Sequence, residues 1–504
     1  MHSSIRRLGG VAAAVVCAGC VVFSVSARAQ DTKPNVVMLM TDDLDMSVWE
    51  TALALGYLPR IKAEMVDKGT TFTNTFAALS TCCPSRTTFL TGQYPHNHGV
   101  YRNTGKHGGF EAFLNDQSTV ATWMKAAGYR TGLIGKYLNE YGTTVKDQGG
   151  TYIPPGWDTW KATFTVSQFD YNFSNQGVKQ HRGHAETDYQ TDVVRGFTLD
   201  FLRDADRRPF FLTITPTSPH YENVDEDGAG VIRPAPRHAD TPDLPTIPPE
   251  SLASFNEADM SDKPAYMRSE PLVDPVSQRS GYNSRLAAIR SVDDLFGAVI
   301  DQLRSDGREA GTVIVFTSDN GFQYGSHRRV GKSDVYEESN RLPMIIRAAG
   351  QASPRVVNAW VMNTDWAPTI AALGSAVPDI PVDGRSLLPW LMGAGIEGRR
   401  TMLVERPNDG VLSTKYPAYS MVRSKDPALT RATSEAATLV YAQTYDPKGQ
   451  VTDQEFYDLS IDPLQTQSLH TSTQPLRLAQ MKALKAKLAA LRSCAGATCR
   501  ALED

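Results

Sequence analysis

The sequence predicts an α/β fold: a doubly wound, mostly parallel sheet flanked by helices, with a smaller C-terminal α+β subdomain that carries an antiparallel sheet. A short, wholly apolar run at 36–40 has the character of a strand that is buried on both faces of a parallel sheet, and the same design recurs at 210–214 and 312–317. Helical patterns at 119–127 and 285–304 lie between them, and each is followed by a glycine. Strands that alternate with helices are typical of doubly wound sheets.

The character of the chain changes after about residue 399. Apolar runs at 438–442 and 455–459, separated by a turn at 446–449, predict an antiparallel hairpin. A set of apolar residues then recurs mostly at spacings of three or four, which predicts an amphipathic helix: Leu476, Leu478, Met481, Leu484, Leu488 and Leu491. We therefore expect a main domain over 30–398, with a proline-rich rim insert at 222–282, and a C-terminal subdomain over 399–504.

The composition is that of an ordinary globular protein. Hydrophobic residues make up 41% of the 504 residues and charged residues 21%, which excludes a disordered chain. The net charge of -4 gives no global basic field, so nucleic acid is not expected as a partner.

The N-terminal segment has the pattern of an export signal. Arg6 and Arg7 precede an apolar stretch at 8–25, and the small residues around Arg28 match a signal-peptidase site. We interpret residues 1–29 as a signal peptide; a membrane anchor or lipidation at Cys20 are the alternatives. After its removal we expect no membrane attachment and a periplasmic or extracellular location.

Export permits disulfide bonds. Two cysteines near the C-terminus, Cys494 and Cys499, enclose four residues after a helical segment, so we expect them to pair. The adjacent residues Cys82 and Cys83 need another explanation.

Polar side chains follow two of the predicted strands. Asp42 and Asp43 come directly after the first strand, and Asp319 and Asn320 follow the strand at 312–317. In doubly wound sheets, ligands bind at the carboxyl ends of the strands. Carboxylate and amide oxygens suit Ca²⁺ or Mg²⁺ better than zinc. The sequence therefore predicts a site for Ca²⁺, with Mg²⁺ as the alternative, at this edge.

Cys82 is predicted to lie at the N-terminus of a short helix. Pro84 falls near the first helical position and Gly92 follows the last. The free N–H groups of such a terminus favour an anion, which is either a thiolate or a bound oxyanion such as sulfate or phosphate. A cysteine phosphatase would have an arginine six positions after its nucleophile, where this chain has Thr88 or Phe89. That mechanism is excluded by the spacing.

The segment Cys82-x-Pro84-Ser85-Arg86, with Thr91-Gly92 nine residues on, resembles the signature of the formylglycine-dependent sulfatases of the alkaline phosphatase superfamily. The resemblance continues through most of the chain, at 35–43, 135–141, 218–220, 318–321 and 331–337. It implies that a formylglycine-generating system converts Cys82 to an aldehyde, formylglycine, whose hydrate attacks the sulfur of a sulfate ester.

The resemblance also implies roles for the residues that match. Lys136 and Lys332 would hold the sulfate oxygens, and Arg86 would orient the hydrated aldehyde and balance the carboxylates. His220 is the candidate general acid, with Lys332 as its partner or substitute. The implied metal site consists of Asp42, Asp43, Cys82, Asp319 and Asn320.

Within the family, the segments at 82–83, 94–98 and 136–141 are most similar to N-acetylglucosamine-6-sulfatases and the related heparan sulfate 6-O-sulfatases. This resemblance implies a sulfated sugar or glycosaminoglycan as substrate, with cleavage of the 6-O-sulfate. The chain has Leu138 where arylsulfatases have a histidine, and Asn139 is a candidate to replace it. His327 and Asn103 are further candidates for substrate contact.

Two other functions remain open from the sequence. A phosphodiesterase or phosphonate monoester hydrolase of the same superfamily would use a similar metal site and anion pocket. A protein that binds sulfated glycans without catalysis is possible if Cys82 stays unmodified.

Overall fold

The computed structural model describes residues 33–222, 231–240, 243–411, 413, 416–430 and 437–504. Lys33–Asp504 form one compact unit. The predicted export signal at 1–29 lies outside the described residues. None of the helices in the described part of the chain combines the length and the apolar character needed to cross a membrane.

The strands of the described residues are, in chain order, β1 (Asn35–Thr41), β2 (Thr70–Phe76), β3 (Arg130–Lys136), β4 (Thr159–Thr163), β5 (Tyr171–Asn175), β6 (Val178–Arg182), β7 (Phe210–Thr215), β8 (Thr312–Ser318), β9 (Gln323–Tyr324), β10 (Val330–Gly331), β11 (Arg341–Leu342), β12 (Met344–Arg347), β13 (Arg355–Met362), β14 (Thr401–Arg406), β15 (Ala418–Ser424), β16 (Leu439–Tyr445) and β17 (Val451–Asp458). Eleven of them form one sheet in the order β11-β2-β12-β8-β1-β7-β3-β4-β5-β6, with β13 beside β2.

The α-helices are α1 (Met46–Ala54), α2 (Pro59–Ile61), α3 (Cys82–Thr91), α4 (Pro95–His98), α5 (Gly109–Ala112), α6 (Val120–Ala126), α7 (Gln190–Arg203), α8 (Ala265–Arg268), α9 (Pro275–Ala288), α10 (Arg290–Ser305), α11 (Glu337–Asn340), α12 (Trp366–Gly374), α13 (Leu388–Leu391), α14 (Pro427–Thr430), α15 (Pro475–Leu491) and α16 (Ala497–Glu503).

The large sheet is mixed, with a parallel centre. Strands β8, β1, β7, β3 and β4 are parallel to their neighbours in this order, which confirms the predicted strands at 36–40, 210–214 and 312–317. The outer pairs β4–β5, β5–β6, β12–β8 and β12–β2 are antiparallel. A short turn between β5 and β6 permits antiparallel pairing, whereas parallel strands need a longer crossover.

Helices cover both faces of this sheet, as a doubly wound fold requires. On β1, Val36, Met38 and Met40 belong to one buried cluster that includes apolar residues of α6 and α12. The intervening residues Val37 and Leu39 belong to a second cluster with residues of α7 and α10. The alternation along β1 therefore places one hydrophobic core on each face.

One predicted helix is divided in the structure. The pattern at 285–304 falls on two helices, α9 and α10, which meet at Ile289. Helix α9 begins earlier than predicted, with Pro275 at its first position and the side chain of Asp274 accepting hydrogen bonds from the N–H groups of Val276 and Ser277. The last part of the predicted insert at 222–282 is therefore helical.

The C-terminal region contains the predicted antiparallel sheet, in the order β14-β15-β16-β17, and the predicted hairpin is β16–β17. Helix α15 buries Leu484, Leu488 and Leu491, whereas Leu476 and Leu478 are exposed, so its apolar face begins later than predicted. The small sheet and α15 share a hydrophobic core with 76–79, the segment that leads into α3. Cys494 and Cys499 form a disulfide bond.

A buried ion network fastens the C-terminal helix α16 to the main body. The Arg399 guanidinium donates to both carboxylate oxygens of Asp365, at 2.7 Å each, and to Oε2 of Glu503 at 3.1 Å. Tyr94 donates a hydrogen bond to the other carboxylate oxygen of Glu503. Removal of Arg399 alone would leave Asp365 buried without its cation, whereas Glu503 keeps the Arg385 guanidinium at 2.9 Å.

We predict that Arg399→Ala lowers the free energy of unfolding by about 3–5 kcal/mol, because breaking a buried pair strands the remaining charge. Urea unfolding followed by circular dichroism measures this change. The matched control is Arg400→Ala, whose side chain is exposed and pairs with exposed Glu397, and it should change the value by less than about 0.5 kcal/mol. Equal effects of the two substitutions would contradict the structural role of the network.

Candidate active site

The ends of β1 and β8 bring the predicted acidic residues together. Thr41 and Ser318 are register partners in this parallel pair, so the residues that follow both strands emerge at the same edge of the sheet. The backbone N–H of Asp43 donates to Oδ1 of Asp319 at 3.1 Å, and the Asn320 amide donates to Oδ1 of Asp43 at 2.6 Å. Asp42, Asp43, Asp319 and Asn320 are all fully buried.

Helix α3 places Cys82 beside this acidic group. The helix is buried along its whole length, begins at Cys82 and ends at Gly92, whose φ of 68° is left-handed. The Cys82 thiol donates to Oδ1 of Asp42 at 3.3 Å, and the Lys332 ammonium donates to the Cys82 sulfur at 2.8 Å. Cys82 therefore lies between the carboxylates and a cationic side chain.

The unmodified Cys82 is a neutral thiol rather than a thiolate. Burial raises its pKa to about 12, and the Asp42 carboxylate acts in the same direction against the opposing effect of Lys136 and Lys332. Of the two anions that a helix N-terminus could favour here, the structure disfavours the thiolate, because burial and the Asp42 carboxylate outweigh the two lysines.

Lys136 and Arg86 neutralise the carboxylates from the other side. Lys136 ends β3, and its ammonium donates to Oδ2 of Asp42 at 2.6 Å. Arg86 lies one turn into α3 and donates through Nε to Oδ2 of Asp319 at 2.8 Å. Gly135, with a φ of 118°, lets the backbone bend before Lys136, where a Cβ would lie 2.1 Å from the Thr215 carbonyl oxygen.

Lys332 places a positive charge among the predicted metal ligands. Its ammonium donates to Oδ1 of Asp43, to the sulfur of Cys82 at 2.8 Å and to Oδ1 of Asn320 at 3.4 Å. A carboxylate oxygen, a sulfur and an amide oxygen thus lie around one position, which the Lys332 ammonium occupies.

These residues fit an oxygen-preferring divalent cation. The buried Oδ2 atom of Asp43 has no hydrogen-bond donor among the described residues. Asp42, Asp43, Cys82 and His220 each offer a donor atom within 4.8 Å of the others. The φ of Asp43 is 61°, a left-handed conformation that turns the backbone at the end of β1. A group of residues that is rich in carboxylates, one of which has an oxygen without a hydrogen-bond donor among the described residues, is suited to Ca²⁺ or Mg²⁺.

The three carboxylates differ in their pKa values. Burial opposes ionisation of Asp42, yet Lys136, His220, Arg86 and Lys332 hold its pKa well below the usual range. The pKa of Asp43 falls to about 2 because His220 and Lys332 outweigh its burial.

Asp319 behaves in the opposite way. Its pKa is raised to about 6, mainly by burial and then by the neighbouring Asp42 carboxylate, despite the nearby Arg86. The site therefore contains two carboxylates whose pKa values are lowered and one whose pKa is raised.

His220 faces Asp43 at the edge of the cluster. One ring nitrogen, Nδ1, lies in hydrogen-bonding contact with the Tyr221 carbonyl, and Nε2 is 3.4 Å from Oδ2 of Asp43. Burial lowers the pKa of His220 to about 4, although Asp43 and Asp42 oppose this shift. A neutral imidazole accepts a proton or binds a cation more readily than it donates, whereas Lys332 carries its proton next to Cys82.

The three candidates for substrate contact have different positions. Asn103 accepts the N–H of Cys83 through Oδ1 at 2.9 Å, so it supports the start of α3. Asn139 has a buried Oδ1 atom without a hydrogen-bond partner among the described residues, and its backbone N–H contacts the Cys83 thiol.

The expectation that His327 lies at a rim or contacts substrate is not supported. His327 is 1% exposed, its Nδ1 atom lies 2.5 Å from Oε2 of Glu257, and its ring stacks on Tyr336 with centroids 3.9 Å apart. The segment containing Glu257, which belongs to the predicted insert, packs over the histidine and removes it from solvent.

Arg285, a buried residue of α9, is a further residue of the site that the sequence did not predict. Its guanidinium donates to the carbonyl oxygen of Asp43 at 2.8 Å, lies 3.9 Å from Oδ2 of the same residue and stacks over the Phe322 ring at 4.1 Å. An arginine within a helical pattern gives no local signal of such a role. Its position depends on how α9 packs against the sheet edge.

Comparison with known proteins identifies the family. The Sulfatase family model matches residues 34–376. The chain is 30% identical to the N-acetylglucosamine-6-sulfatases of Capra hircus and Homo sapiens, over 96% of this chain and 87% and 89% of those proteins. It is 32% identical to an extracellular sulfatase SULF-1 homolog of Drosophila melanogaster over 73% of this chain, and the match spans about a third of that protein (32%).

Solved structures share the fold. A structure described as a complex with the substrate D-glucosamine-2-N,6-O-disulfate has a TM-score of 0.68 at 22% identity, covering 91% of this chain and 97% of the other. The phosphonate monoester hydrolase of Agrobacterium radiobacter has a TM-score of 0.63 at 19% identity, with 91% and 95% covered.

We predict that unconverted Cys82 in the folded protein resists alkylation by iodoacetamide at pH 8, because the thiol is buried and its pKa of about 12 leaves almost no thiolate. The rate at the peptide that contains Cys82 and Cys83, followed by mass spectrometry, should be at least about 100-fold lower than in urea. Cys82→Ser assigns the signal to one of the two adjacent thiols. Rapid labelling of Cys82 in the native state would contradict the buried, neutral thiol.

Proposed function

This chain belongs to the sulfatase family, the sulfuric ester hydrolases, and on that premise we propose that it removes the 6-O-sulfate of an N-acetylglucosamine unit in a sulfated glycan. We further propose that formylglycine derived from Cys82 provides the nucleophile and that a divalent cation, Ca²⁺ or Mg²⁺, completes the site. The protein would thus depend on a formylglycine-generating system.

The arrangement around Cys82 is the observation that supports this proposal most strongly. Lys332 contacts the Cys82 sulfur directly and pairs with Asp43, and Lys136 pairs with Asp42, which accepts a hydrogen bond from the Cys82 thiol. A sulfate ester carries its charge on oxygens that such donors can hold during the reaction. Both ammonium groups are largely withdrawn from water, which strengthens their attraction for an oxyanion.

Each residue of the chain has a separate task in this mechanism. Asp42, Asp43, Asp319 and Asn320, with the modified residue 82, would hold the cation, which supplies charge neutralisation for the sulfate oxygens. The aldehyde at residue 82, when formed and hydrated, supplies a hydroxyl nucleophile. Arg86 holds Asp319 in place, and Lys136 and Lys332 orient the sulfate oxygens for in-line attack.

Protonation of the departing sugar oxygen is assigned to Lys332 together with His220. The pKa of the Lys332 ammonium is raised well above its usual value, because the Asp43 and Asp42 carboxylates favour the charged form against the effect of burial. His220 is neutral at pH 7, since its pKa is about 4, and its ring can relay a proton at Nε2. Lys332 thus carries the proton that the departing sugar oxygen takes up, and His220 assists the transfer.

The choice of sugar is supported by similarity along nearly the whole chain. The N-acetylglucosamine-6-sulfatases from goat and human match over 96% of this chain. We propose export to the periplasm or the extracellular space, because the sequence begins with a signal-like segment and Cys494–Cys499 is oxidised.

Phosphonate monoester or phosphodiester hydrolysis is the second candidate, and the shared fold of the phosphonate monoester hydrolase favours keeping it. Glycan binding without catalysis is the third, and it requires an unconverted cysteine. The oxidation state of residue 82 and the choice between sulfate and phosphonate esters separate the three functions.

We predict that Cys82→Ala abolishes hydrolysis of sulfate esters, with a loss of at least about 10⁴-fold in kcat, because the substitution removes the nucleophile. In the active wild-type protein, the peptide containing residue 82 should be about 18 Da lighter than its cysteine form, as conversion of CH₂SH to CHO requires. Cys83→Ala is the matched control and should retain conversion and activity. Unchanged turnover by Cys82→Ala would refute the mechanism.

We predict that converted, Ca²⁺-loaded protein hydrolyses N-acetylglucosamine 6-sulfate with a kcat/KM at least about 100-fold above that for the 3-sulfate isomer, because the pocket must place the ester oxygen next to Lys332. A panel of defined sulfated sugars and a matched phenyl phosphonate measures the preference. Equal or higher kcat/KM for the phosphonate would favour the second candidate function.

A further inference from the structure

Arg406, the last residue of β14, carries a charge that the described residues do not neutralise. It is 8% exposed, and a cation buried to this extent usually has a carboxylate partner. Among the described residues, its close contact is with the Tyr416 ring, whose centroid lies 5.9 Å from Cζ. No carboxylate in the described part of the chain lies within ion-pair distance of its guanidinium.

The carboxylate that acts on Arg406 from nearby is already occupied. Asp409 accepts two hydrogen bonds from Arg102, one from Nε and one from Nη2 at 2.9 Å. Burial, and then repulsion by Arg102, lowers the pKa of Arg406. Within the part of the chain that the structure describes, two guanidinium groups therefore share one carboxylate, which leaves a local surplus of one positive charge.

Arg406 is connected to the start of α3 through hydrogen-bonded neighbours. Arg102, which holds Asp409, precedes Asn103, and Asn103 accepts the N–H of Cys83 at 2.9 Å. The backbone N–H of Glu405 donates to the carbonyl of Ala78 at 2.8 Å, four residues before Cys82. The end of β14 thus lies against the segment that delivers the reactive residue.

Arg406 is also connected to the loop that carries Lys332. Arg406 and Tyr419 are direct partners across β14 and β15, so their side chains project from the same face of the small sheet. The Tyr419 hydroxyl lies 3.5 Å from the carbonyl oxygen of Asp334, two residues after Lys332. The Tyr416 hydroxyl adjoins Gly331, where a Cβ would lie 3.4 Å from it.

We propose that Arg406 binds a second anionic group, a sulfate or a carboxylate, on the same sugar substrate whose 6-sulfate reacts at residue 82. The Arg406 guanidinium lies between the loop of Asn103 and the loop of Lys332, and each loop contacts the Cys82–Cys83 pair. We expect the remainder of a bound sugar to extend into this region. A guanidinium can bind two oxygens of such a group side by side, and a site largely withdrawn from water strengthens the contact.

The proposed subsite narrows the substrate class. This inference rests on the proposed function, because it takes the 6-sulfate to be the group held at residue 82. A neutral N-acetyl group gives Arg406 no counter-charge, whereas an N-sulfate on the same glucosamine or the carboxylate of an adjoining uronic acid does. The preferred substrate would therefore carry two negative groups.

The test compares Arg406→Gln with wild-type protein on N-acetylglucosamine 6-sulfate, glucosamine N,6-disulfate and a disaccharide that joins a uronic acid to N-acetylglucosamine 6-sulfate. We expect kcat/KM for at least one doubly anionic substrate to fall roughly 10- to 100-fold, and that for N-acetylglucosamine 6-sulfate to fall less than about threefold. The substrate that loses activity identifies the source of the anion.

Two further variants separate charge recognition from other effects. Arg406→Lys, which keeps the charge but not the paired donors, should lose less than Arg406→Gln. Arg400→Gln makes the same charge change at an exposed residue just before β14, and it should not discriminate between the substrates. Equal loss on all three substrates with Arg406→Gln, or no loss on any, would overturn the proposal.

Direct binding distinguishes this inference from the proposed function. Calorimetry with glucosamine N,6-disulfate should show at least about tenfold weaker binding to Cys82→Ala/Arg406→Gln than to Cys82→Ala, at matched metal content. If the wild-type protein hydrolyses none of the sugars but this difference is found, the proposed function fails and the anion subsite stands. If binding is the same for both variants, the subsite fails whatever the activity.

Discussion

The structure depends on the neutralisation of three buried carboxylates at the ends of two neighbouring parallel strands. Ions withdrawn from water are costly unless counter-charges and hydrogen bonds replace the solvent. Here Asp42, Asp43 and Asp319 are surrounded by four cationic side chains, which come from four separate parts of the chain: Arg86, Lys136, Arg285 and Lys332. Asp45, a fourth buried carboxylate that interacts with Arg285, balances these four cations when His220 is neutral, so a divalent cation would make the group net positive. A pocket of this composition attracts an oxyanion next to Cys82.

The fold supplies this arrangement through register and helix packing rather than through local sequence. The parallel pairing of β1 with β8 aligns two polar segments that are more than 270 residues apart, and β3 ends beside them with Lys136. The N-terminus of α3 is held from opposite sides by Asn103 and by the loop that carries Lys332. The small C-terminal sheet shares a core with the segment before α3, so it supports the reactive residue and also brings Arg406 to its side.

The sequence alone predicted those elements that have a regular apolar pattern or characteristic residues at their ends. Apolar runs predicted the central strands, and polar residues after them predicted the acidic cluster. The antiparallel edges of the large sheet were not predicted, because pairing direction depends on how connections run in space. His327 and Arg285 show the same limit for single side chains: the first is covered by a segment that lies about 70 residues away in sequence, and the second reaches Asp43 only after α9 packs. The neutral state of the Cys82 thiol likewise results from burial, which no local pattern specifies.

The central claim is that one pocket holds a divalent cation and an oxyanion together, so that each stabilises the other. Calorimetric titration of Ca²⁺ into metal-stripped protein measures the affinity for the cation. The same titration with inorganic sulfate present, compared at equal free Ca²⁺ concentrations, measures this coupling. The account predicts one cation per chain and an affinity for sulfate that rises at least about fivefold when the cation is bound, with the reciprocal effect of sulfate on Ca²⁺. Absence of cation binding, or a sulfate affinity that the cation leaves unchanged, would contradict it.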